Sequence, residues 1–139
     1  MAIATVCVIE DDEGTRNIVR DLLTDEGYKV IQAGTGLEGK QILDVSAERM
    51  IVVLDYRLPA LDGCDLLEIV AQDEYLRERH TFIMMSASPA KTVEDCGEAI
   101  DELDVPIVPK PFDIDDLVEA VREAQMRLDP GGEPAPAGS

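Results

Sequence analysis

Four short hydrophobic runs along the chain each lead into one or more polar residues. The runs are Val6–Ile9, Met50–Leu54, Phe82–Met85 and Val105–Val108, and the polar residues beyond them are Glu10, Asp11, Asp12, Asp55, Ser86 and, after one proline, Lys110. Short apolar runs of this kind predict parallel strands that are buried on both faces of a sheet. Open sheets of this class bind ligands at the carboxyl ends of their strands. The pattern therefore predicts acids, a hydroxyl and a lysine gathered at one sheet edge.

The strands alternate with amphipathic stretches that predict helices. A further strand, Lys29–Ala33, is the most polar of the set, and the clearest helix begins near Ile114 with apolar residues at helical spacing. Alternation of strands and helices predicts parallel pairing through right-handed crossovers. Polar Lys29–Ala33 and the run containing Pro106, which cannot donate to a ladder, belong at the edges. The predicted fold is α/β, a flavodoxin-like (βα)5 doubly wound parallel sheet with strand order 2-1-3-4-5.

The length of 139 residues suits one domain with a substantial core. We predict a domain over residues 1–128 and a disordered tail over 129–139, because the tail is rich in Pro and Gly and lacks apolar periodicity. No apolar run is long enough to cross a bilayer, and no signal peptide is recognisable after Met1. We therefore expect a cytoplasmic protein.

Charge and cysteine usage narrow the possible partners. Twelve basic residues against thirty acidic ones give a formal charge of −18, which repels nucleic acid and anionic membranes. We expect neither as a partner. Three cysteines, Cys7, Cys64 and Cys96, without a CxxC pair predict free thiols in a reducing compartment. The sole histidine, His80, is expected to be a solvent-exposed loop residue.

The acids that follow the first and third strands predict a metal site. In the predicted order these strands are neighbours, so Glu10, Asp11 and Asp55 converge. Two carboxylates ~4 Å apart repel by about 4 kcal/mol at an effective dielectric constant near 20, so protonation, a lysine or a cation must offset the repulsion. Carboxylate oxygens favour Mg²⁺ over a softer metal. One such acid alone is more simply a turn residue or a helix cap, which is our interpretation of Asp12.

Lys110 and Ser86 each allow two interpretations. Lys110 lies between Pro109 and Pro111, which stiffen the backbone that carries its amine. It is either a solvated loop lysine or a point charge directed at an anion. Ser86 either caps the following helix or donates a hydrogen bond to a phosphoryl oxygen, and the small neighbour Ala87 leaves room for one.

Together these residues resemble the receiver domain of two-component response regulators. The matching pieces occur in the family's order over residues 4 to about 127: Glu10-Asp11, Leu54-Asp55, Leu58-Pro59, Asp62-Gly63, Ser86-Ala87 and Lys110-Pro111-Phe112. Each piece alone is weakly specific, and their combination is strong.

The resemblance implies a role for each site residue. Asp55 is expected to accept a phosphoryl group from a phosphohistidine, with Lys110 and Ser86 contacting that group. The Mg²⁺ ligands that the resemblance implies are Glu10, Asp11, Asp55 and the backbone carbonyl of Arg57. The Lys110-Pro111 peptide bond resembles one that is cis in this family.

The resemblance also implies partners. The phosphoryl donor would be a histidine kinase or a histidine phosphotransfer protein, and the chain would catalyse its own phosphorylation without being a conventional turnover enzyme. A downstream protein would bind the face formed by the fourth predicted helix, the fifth strand and the fifth predicted helix. The family often has an aromatic residue three positions before the lysine, where this chain has Ile107.

Two alternatives remain at this point. A phosphohydrolase of the haloacid dehalogenase type also uses an aspartate after a strand, but it requires a second aspartate two residues later, where this chain has Arg57. A pseudo-receiver would bind partners without being phosphorylated. The complete acid set argues against it, whereas Ile107 leaves it open.

Overall fold

The sheet has the predicted topology. A computed structural model describes residues 3–128, so the predicted tail at 129–139 lies outside the described residues. Five parallel strands form one sheet in the order β2-β1-β3-β4-β5, which confirms the predicted flavodoxin-like α/β fold. The strands are β1 (Thr5–Ile9), β2 (Lys29–Ala33), β3 (Met50–Asp55), β4 (Thr81–Ser86) and β5 (Ile107–Pro109). β5 begins two residues later than predicted, after Pro106.

The described residues form six helices, one more than the sequence predicts. They are α1 (Glu13–Asp25), α2 (Gly36–Val45), α3 (Gly63–Ala71), α4 (Glu74–Arg79), α5 (Pro89–Leu103) and α6 (Ile114–Leu128). The unpredicted helix is α4, whose six residues bury Leu76 alone and are therefore too few to show a periodic pattern. The fourth and fifth predicted helices correspond to α5 and α6. No helix within residues 3–128 is long and apolar enough to cross a membrane.

The sheet separates two hydrophobic cores. Helices α1 and α6 cover one face, where Val19 and Val121 pack against β1, β3 and β4. Helices α2 to α5 cover the other face, where Leu67 and Ile100 pack against the alternate residues of the same strands. Burial on both faces fixes the central strands firmly, because a shift in register would break the packing of both cores and draw the polar residues at the strand ends into the interior. The residues that follow these strands therefore have fixed positions.

Two of the three cysteines are not free thiols. Cys64 in α3 and Cys96 in α5 form a disulfide with Cα atoms 5.6 Å apart, and Cys7 is a free, buried thiol. The expectation of three free thiols was therefore wrong for this pair. The two residues are 32 positions apart, and the packing of α3 against α5 brings them together.

His80 is a structural residue of the interior. Only 4% of its surface is exposed, and its Nδ1 accepts a hydrogen bond from the Met50 backbone N–H at 3.0 Å. Burial, reinforced by the charges of Arg79 and Arg49, lowers the pKa of His80 to about 4. The expectation of a solvent-exposed loop histidine was wrong, because the side chain of His80, between α4 and β4, packs against the start of β3.

Candidate functional site

Three carboxylates meet where β1 and β3 end. Ile9 pairs with Leu54 in the sheet, so Glu10 and Asp55 emerge side by side at the same edge. Glu10 is 1% exposed and Asp55 is 6% exposed, whereas Asp11 is open to solvent. One oxygen from each of Glu10, Asp11 and Asp55 lies within 4.8 Å of the other two. These hard oxygen donors fit a small divalent cation such as Mg²⁺.

Local hydrogen bonds fix the position of Glu10. Its Oε2 accepts from the Asp12 backbone N–H at 3.0 Å, and its backbone carbonyl accepts from the Arg16 guanidinium at 2.8 Å. Asp12 caps α1 by accepting from the Thr15 backbone N–H at 2.8 Å. This confirms the interpretation of Asp12 as a helix cap. The start of α1 therefore holds Glu10 in place.

Lys110 extends into the acid cluster from the loop after β5. Its Nζ lies 2.9 Å from Glu10 Oε1 and 3.2 Å from Asp55 Oδ1, and its side chain is 23% exposed. Its backbone N–H donates to the Ser86 carbonyl at 2.8 Å, which ties this loop to the end of β4. The Lys110-Pro111 peptide bond is cis. The amine is thus a contact partner of the acids and not a solvated loop charge.

Burial and mutual contact shift the pKa values of Glu10, Asp55 and Lys110. Burial raises the pKa values of Glu10 and Asp55, although Lys110 acts in the opposite direction on both. Burial alone would lower the pKa of Lys110, but the hydrogen bond to Glu10 and the charge of Asp55 outweigh it, so this pKa is raised. One ammonium faces a cluster of three carboxylates, which leaves the cluster an excess of negative charge.

Ser86 ends β4 at the same edge, but its hydroxyl faces α5. The side chain is fully buried, and its Oγ lies 2.7 Å from Thr92 Oγ1. The same Oγ accepts from the Ser88 backbone N–H at 2.9 Å. Ser88, not Ser86, occupies the N-cap position of α5. A contact between Ser86 and a group on Asp55 therefore requires its hydroxyl to rotate.

The loop after Asp55 packs tightly against the start of α3. A Cβ added to Gly63 would lie 2.5 Å from the Asp55 backbone oxygen, so this position requires glycine. The Gly63 N–H donates to the Tyr56 carbonyl at 3.0 Å. Arg57 is exposed, and its guanidinium stacks on the Tyr56 ring at 5.1 Å. The Asp62-Gly63 pair thus fixes the backbone that follows Asp55.

Sequence reasoning missed the contacts between this edge and α5. Thr92 bonds to Ser86, and the Tyr56 hydroxyl bonds to Asp95 in a short hydrogen bond. Thr92 lies four residues after Ser88, whose carbonyl its hydroxyl contacts at 2.9 Å, a spacing typical of one helical turn. The spacing between Ser88 and Thr92 was the only feature of the sequence that could have indicated a hydrogen bond from the Thr92 hydroxyl near the end of β4. The Tyr56–Asp95 pair had none, because the two residues are 39 positions apart.

Comparisons with known proteins agree with this geometry. The family model of the response regulator receiver domain matches residues 6–122. Sporulation initiation phosphotransferase F of Bacillus subtilis is 30% identical over 122 residues, which cover 85% of this chain and 90% of that relative. Chemotaxis protein CheY1 of Helicobacter pylori is 31% identical over 72 residues, which cover 51% of this chain and 58% of that protein. The chain spans about half the length of a further relative, the DNA-binding dual master transcriptional regulator RpaA of Synechocystis, at 27% identity.

Solved structures share the fold. A CheY-like response regulator receiver domain protein from Methanospirillum hungatei has a TM-score of 0.76 at 25% identity and covers 89% of this chain and 95% of its own. The receiver domain of an HD domain-containing protein from Pseudomonas fluorescens gives the same TM-score at 23% identity over 91% of this chain and 98% of its own. The family match, the strand order and the acid cluster at the sheet edge therefore lead to the same conclusion: this chain belongs to the receiver domain family of response regulators.

Proposed function

We propose that this receiver domain takes a phosphoryl group from a phosphohistidine onto Asp55 in a Mg²⁺-dependent reaction. The observation that carries the proposal is the convergence of Glu10, Asp11 and Asp55, with oxygens within 4.8 Å of one another, beside a lysine amine that contacts Glu10 and Asp55. Membership in the receiver domain family supports the same reaction class and disfavours the haloacid dehalogenase alternative. Arg57 at the second position after Asp55 also disfavours that alternative.

The proposed step is a displacement at phosphorus. An Asp55 carboxylate oxygen attacks phosphorus, the bond from phosphorus to the histidine nitrogen breaks, and the imidazole nitrogen leaves with the electron pair. The product is an acyl phosphate on Asp55 and a histidine on the donor. Such a reaction depends mainly on positioning and on charge neutralisation. The nearly complete burial of Asp55 at a strand end supports the positioning part.

Mg²⁺ would neutralise charge on the transferring phosphoryl oxygens. The residues proposed to hold it are Glu10, Asp11, Asp55 and the backbone carbonyl of Arg57. Lys110, already 3.2 Å from Asp55, is proposed to pair with the phosphoryl group after transfer. Ser86 is proposed to donate a hydrogen bond to the same group once its hydroxyl leaves Thr92. Oxygen atoms at this edge of the sheet are thus proposed to bind the ion, and an amine and a hydroxyl at the same edge are proposed to bind the phosphoryl group.

The proposed partners are a histidine kinase or histidine phosphotransfer protein as donor and a downstream protein as reader. The face formed by α5, β5 and α6 is proposed to bind the reader. Val93 on α5 and Ile114 on α6 are 53% and 52% exposed, so both helices present apolar surface to solvent. Phosphorylation would shift an existing conformational equilibrium of this face. The cytoplasmic location, the absence of nucleic acid partners and the absence of conventional turnover stay predictions.

Acetyl phosphate with Mg²⁺ tests the proposal directly. Intact mass should rise by one phosphoryl group in the wild-type protein, and Asp55→Asn should abolish the rise. Asp12→Asn is the matched control, because this acid lies beside the cluster but caps α1, a role that asparagine also fills. The control should retain the rise. No adduct with any phosphoryl donor would contradict the proposal, and Mg²⁺ titration would then identify a pseudo-receiver as a domain that does not bind the ion.

A further inference from the structure

Helix α5 is interrupted at the residue that links it covalently to α3. Cys96 has φ −146° and ψ 38°, which lies outside the helical region and separates segment 89–95 from segment 97–103. The Cys96 sulfur is bonded to Cys64, the second residue of α3. The disulfide thus fixes α5 at the residue where the helix is interrupted. Segment 89–95 can therefore move while segment 97–103 stays in place.

The first segment of α5 makes two polar contacts with the phosphoacceptor edge. Thr92 bonds to Ser86 at the end of β4, and Asp95 bonds to the hydroxyl of Tyr56, the residue after Asp55. The disulfide follows at the next position. Hydrogen bonds of this kind exchange readily for other partners, whereas a covalent bond does not. Two hydrogen bonds therefore hold the first segment of α5 to the edge, and one covalent bond holds the next residue to α3.

A phosphoryl group on Asp55 would compete for the hydroxyl of Ser86. Thr92 directs its hydroxyl at the Ser88 carbonyl, 2.9 Å away, so Ser86 supplies the proton in its own 2.7 Å contact with Thr92. A hydroxyl has a single proton to donate. When Ser86 donates its proton to a phosphoryl oxygen, Thr92 can keep the contact only by turning its own proton from the Ser88 carbonyl to the Ser86 Oγ. In either arrangement the first segment of α5 loses one hydrogen bond.

Cys64 lies in a part of the molecule that the change of hydrogen bonds at Ser86 and Thr92 leaves in place. The neighbouring Gly63 packs against the Asp55 backbone so closely that a Cβ would lie 2.5 Å from the Asp55 oxygen. The Gly63 N–H also donates to the Tyr56 carbonyl at 3.0 Å. The disulfide therefore ties α5 to a part of the molecule that is fixed relative to the phosphoacceptor.

We infer that Cys64 and Cys96 form a redox-controlled cross-link that limits how much of α5 responds to phosphorylation of Asp55. The inference rests on the proposed function. With the disulfide closed, the loss of that hydrogen bond at Ser86 and Thr92 releases segment 89–95 alone. With the disulfide open, the release extends into segment 97–103. The redox state of Cys64 and Cys96 thus determines whether phosphorylation alters only the first half of α5 or the whole helix.

The reactant for opening the cross-link is a dithiol. One thiolate of the reductant attacks a cysteine sulfur, the S–S bond breaks, and the second reductant thiol then displaces the mixed disulfide. Two electrons and two protons end on Cys64 and Cys96, and the reductant becomes a disulfide. Because Cys64 and Cys96 are only 6% and 3% exposed, α5 must lift before attack. Phosphorylation should therefore speed the reduction.

Amide hydrogen exchange of the disulfide and dithiol forms tests the inference. Each form is phosphorylated with acetyl phosphate and Mg²⁺, and intact mass first confirms the phosphoryl adduct. Phosphorylation should raise exchange in segment 89–95 in both forms. In segment 97–103 we expect a rise of about tenfold in the dithiol form and less than about twofold in the disulfide form.

A matched double variant separates the cross-link from other effects of the reductant. Cys64→Ser with Cys96→Ser should behave like the dithiol form with and without dithiothreitol, whereas Cys7→Ala should keep the wild-type dependence on reductant. If the double variant does not fold, folded wild-type protein that has been reduced with dithiothreitol replaces it in the comparison. Equal exchange in 97–103 in both redox forms would overturn the inference, as would three reactive thiols in the denatured, air-oxidised protein. A missing phosphoryl adduct would instead contradict the proposed function.

Discussion

The acid cluster and helix α5 both contact the carboxyl edge of the sheet, but different forces hold them there. Glu10 and Asp55 follow central strands whose side chains are buried on both faces. Segment 89–95 of α5 reaches the edge through two polar contacts, and a disulfide links the next residue of the helix to α3. Strand ends are fixed by the cooperative packing of the whole core. The second half of α5 shares in this packing through Ala99 and Ile100, whereas its first half is held to the edge by separable hydrogen bonds. The acid cluster is therefore a rigid site suited to the chemistry, whereas the first half of α5 can respond to a small change at that site.

Opening the disulfide should have the largest effect on stability. A cross-link between residues 32 positions apart restricts the unfolded chain, and its loss should lower the free energy of unfolding by roughly 3 to 4 kcal/mol. Urea unfolding with and without dithiothreitol measures this directly. Cys64→Ser with Cys96→Ser should be insensitive to the reductant. A wild-type stability that does not change on reduction would mean that α5 is held without the covalent contact.

Mg²⁺ should stabilise the acid cluster and leave α5 where it is. At about 100 times its dissociation constant, an ion that binds only the folded state adds ~2.7 kcal/mol to the free energy of unfolding. Asp11→Asn should remove most of this gain, whereas Asp12→Asn should keep it. Because the pKa values of Glu10 and Asp55 are raised, protons should displace Mg²⁺ at a higher pH than they would from ordinary carboxylates. Thermal unfolding with Mg²⁺ at several pH values measures both effects.

The charge of Asp55 should destabilise the fold in the absence of Mg²⁺. Its pKa is raised in the folded state, mainly by burial, so the folded protein binds this proton more tightly than the unfolded chain does. That contribution is present at acid pH and is lost as pH rises through the folded pKa. Asp55→Asn should therefore be more stable than the wild type at pH 7 by on the order of 1 kcal/mol.

The same difference should shrink as pH falls and the carboxyl group of Asp55 becomes protonated. Chemical unfolding of both proteins between pH 4 and pH 8 measures it. An advantage of the asparagine variant that grows toward acid pH would contradict the direction given for the pKa of Asp55.

Removing the hydroxyl of Thr92 should have a small effect on stability and a specific effect on α5. Thr92→Val leaves the buried Ser86 hydroxyl without this acceptor, at a cost of about 1 kcal/mol. Exchange in segment 89–95 should rise without phosphorylation. Thr81→Val is the matched control, because the Thr81 hydroxyl contacts the Ala124 carbonyl on the opposite face of the sheet. Unchanged exchange in segment 89–95 would show that Thr92 does not restrain it.

The two regions also differ in how well the sequence predicts them. The acid cluster was predictable because each hydrophobic run ends at its polar residue and the alternation of strands and helices fixes the strand order. Glu10, Asp11, Asp55 and Lys110 meet as the topology requires. The orientation of the Ser86 hydroxyl was not predictable, since a strand end fixes where a side chain starts and not which neighbour it contacts.

The contacts of α5 were missed for a physical reason. The Cys64–Cys96 and Tyr56–Asp95 pairs join residues more than 30 positions apart on separate elements, and their meeting depends on how α3 and α5 pack. Hydrophobic periodicity predicts which face of a helix is buried, but not its rotation to within one side chain. His80 was misassigned for the same reason, because burial of its loop is a tertiary effect.

The identity of the phosphorylated residue is the most direct test of the central claim. The protein is treated with acetyl phosphate and Mg²⁺ and then with borohydride, which reduces an acyl phosphate to an alcohol and converts the modified aspartate to homoserine. Peptide mass mapping locates the change. We expect homoserine at position 55 and at no other acid. Homoserine at Glu10 or Asp11, or no conversion in a protein that gains the phosphoryl mass, would contradict it.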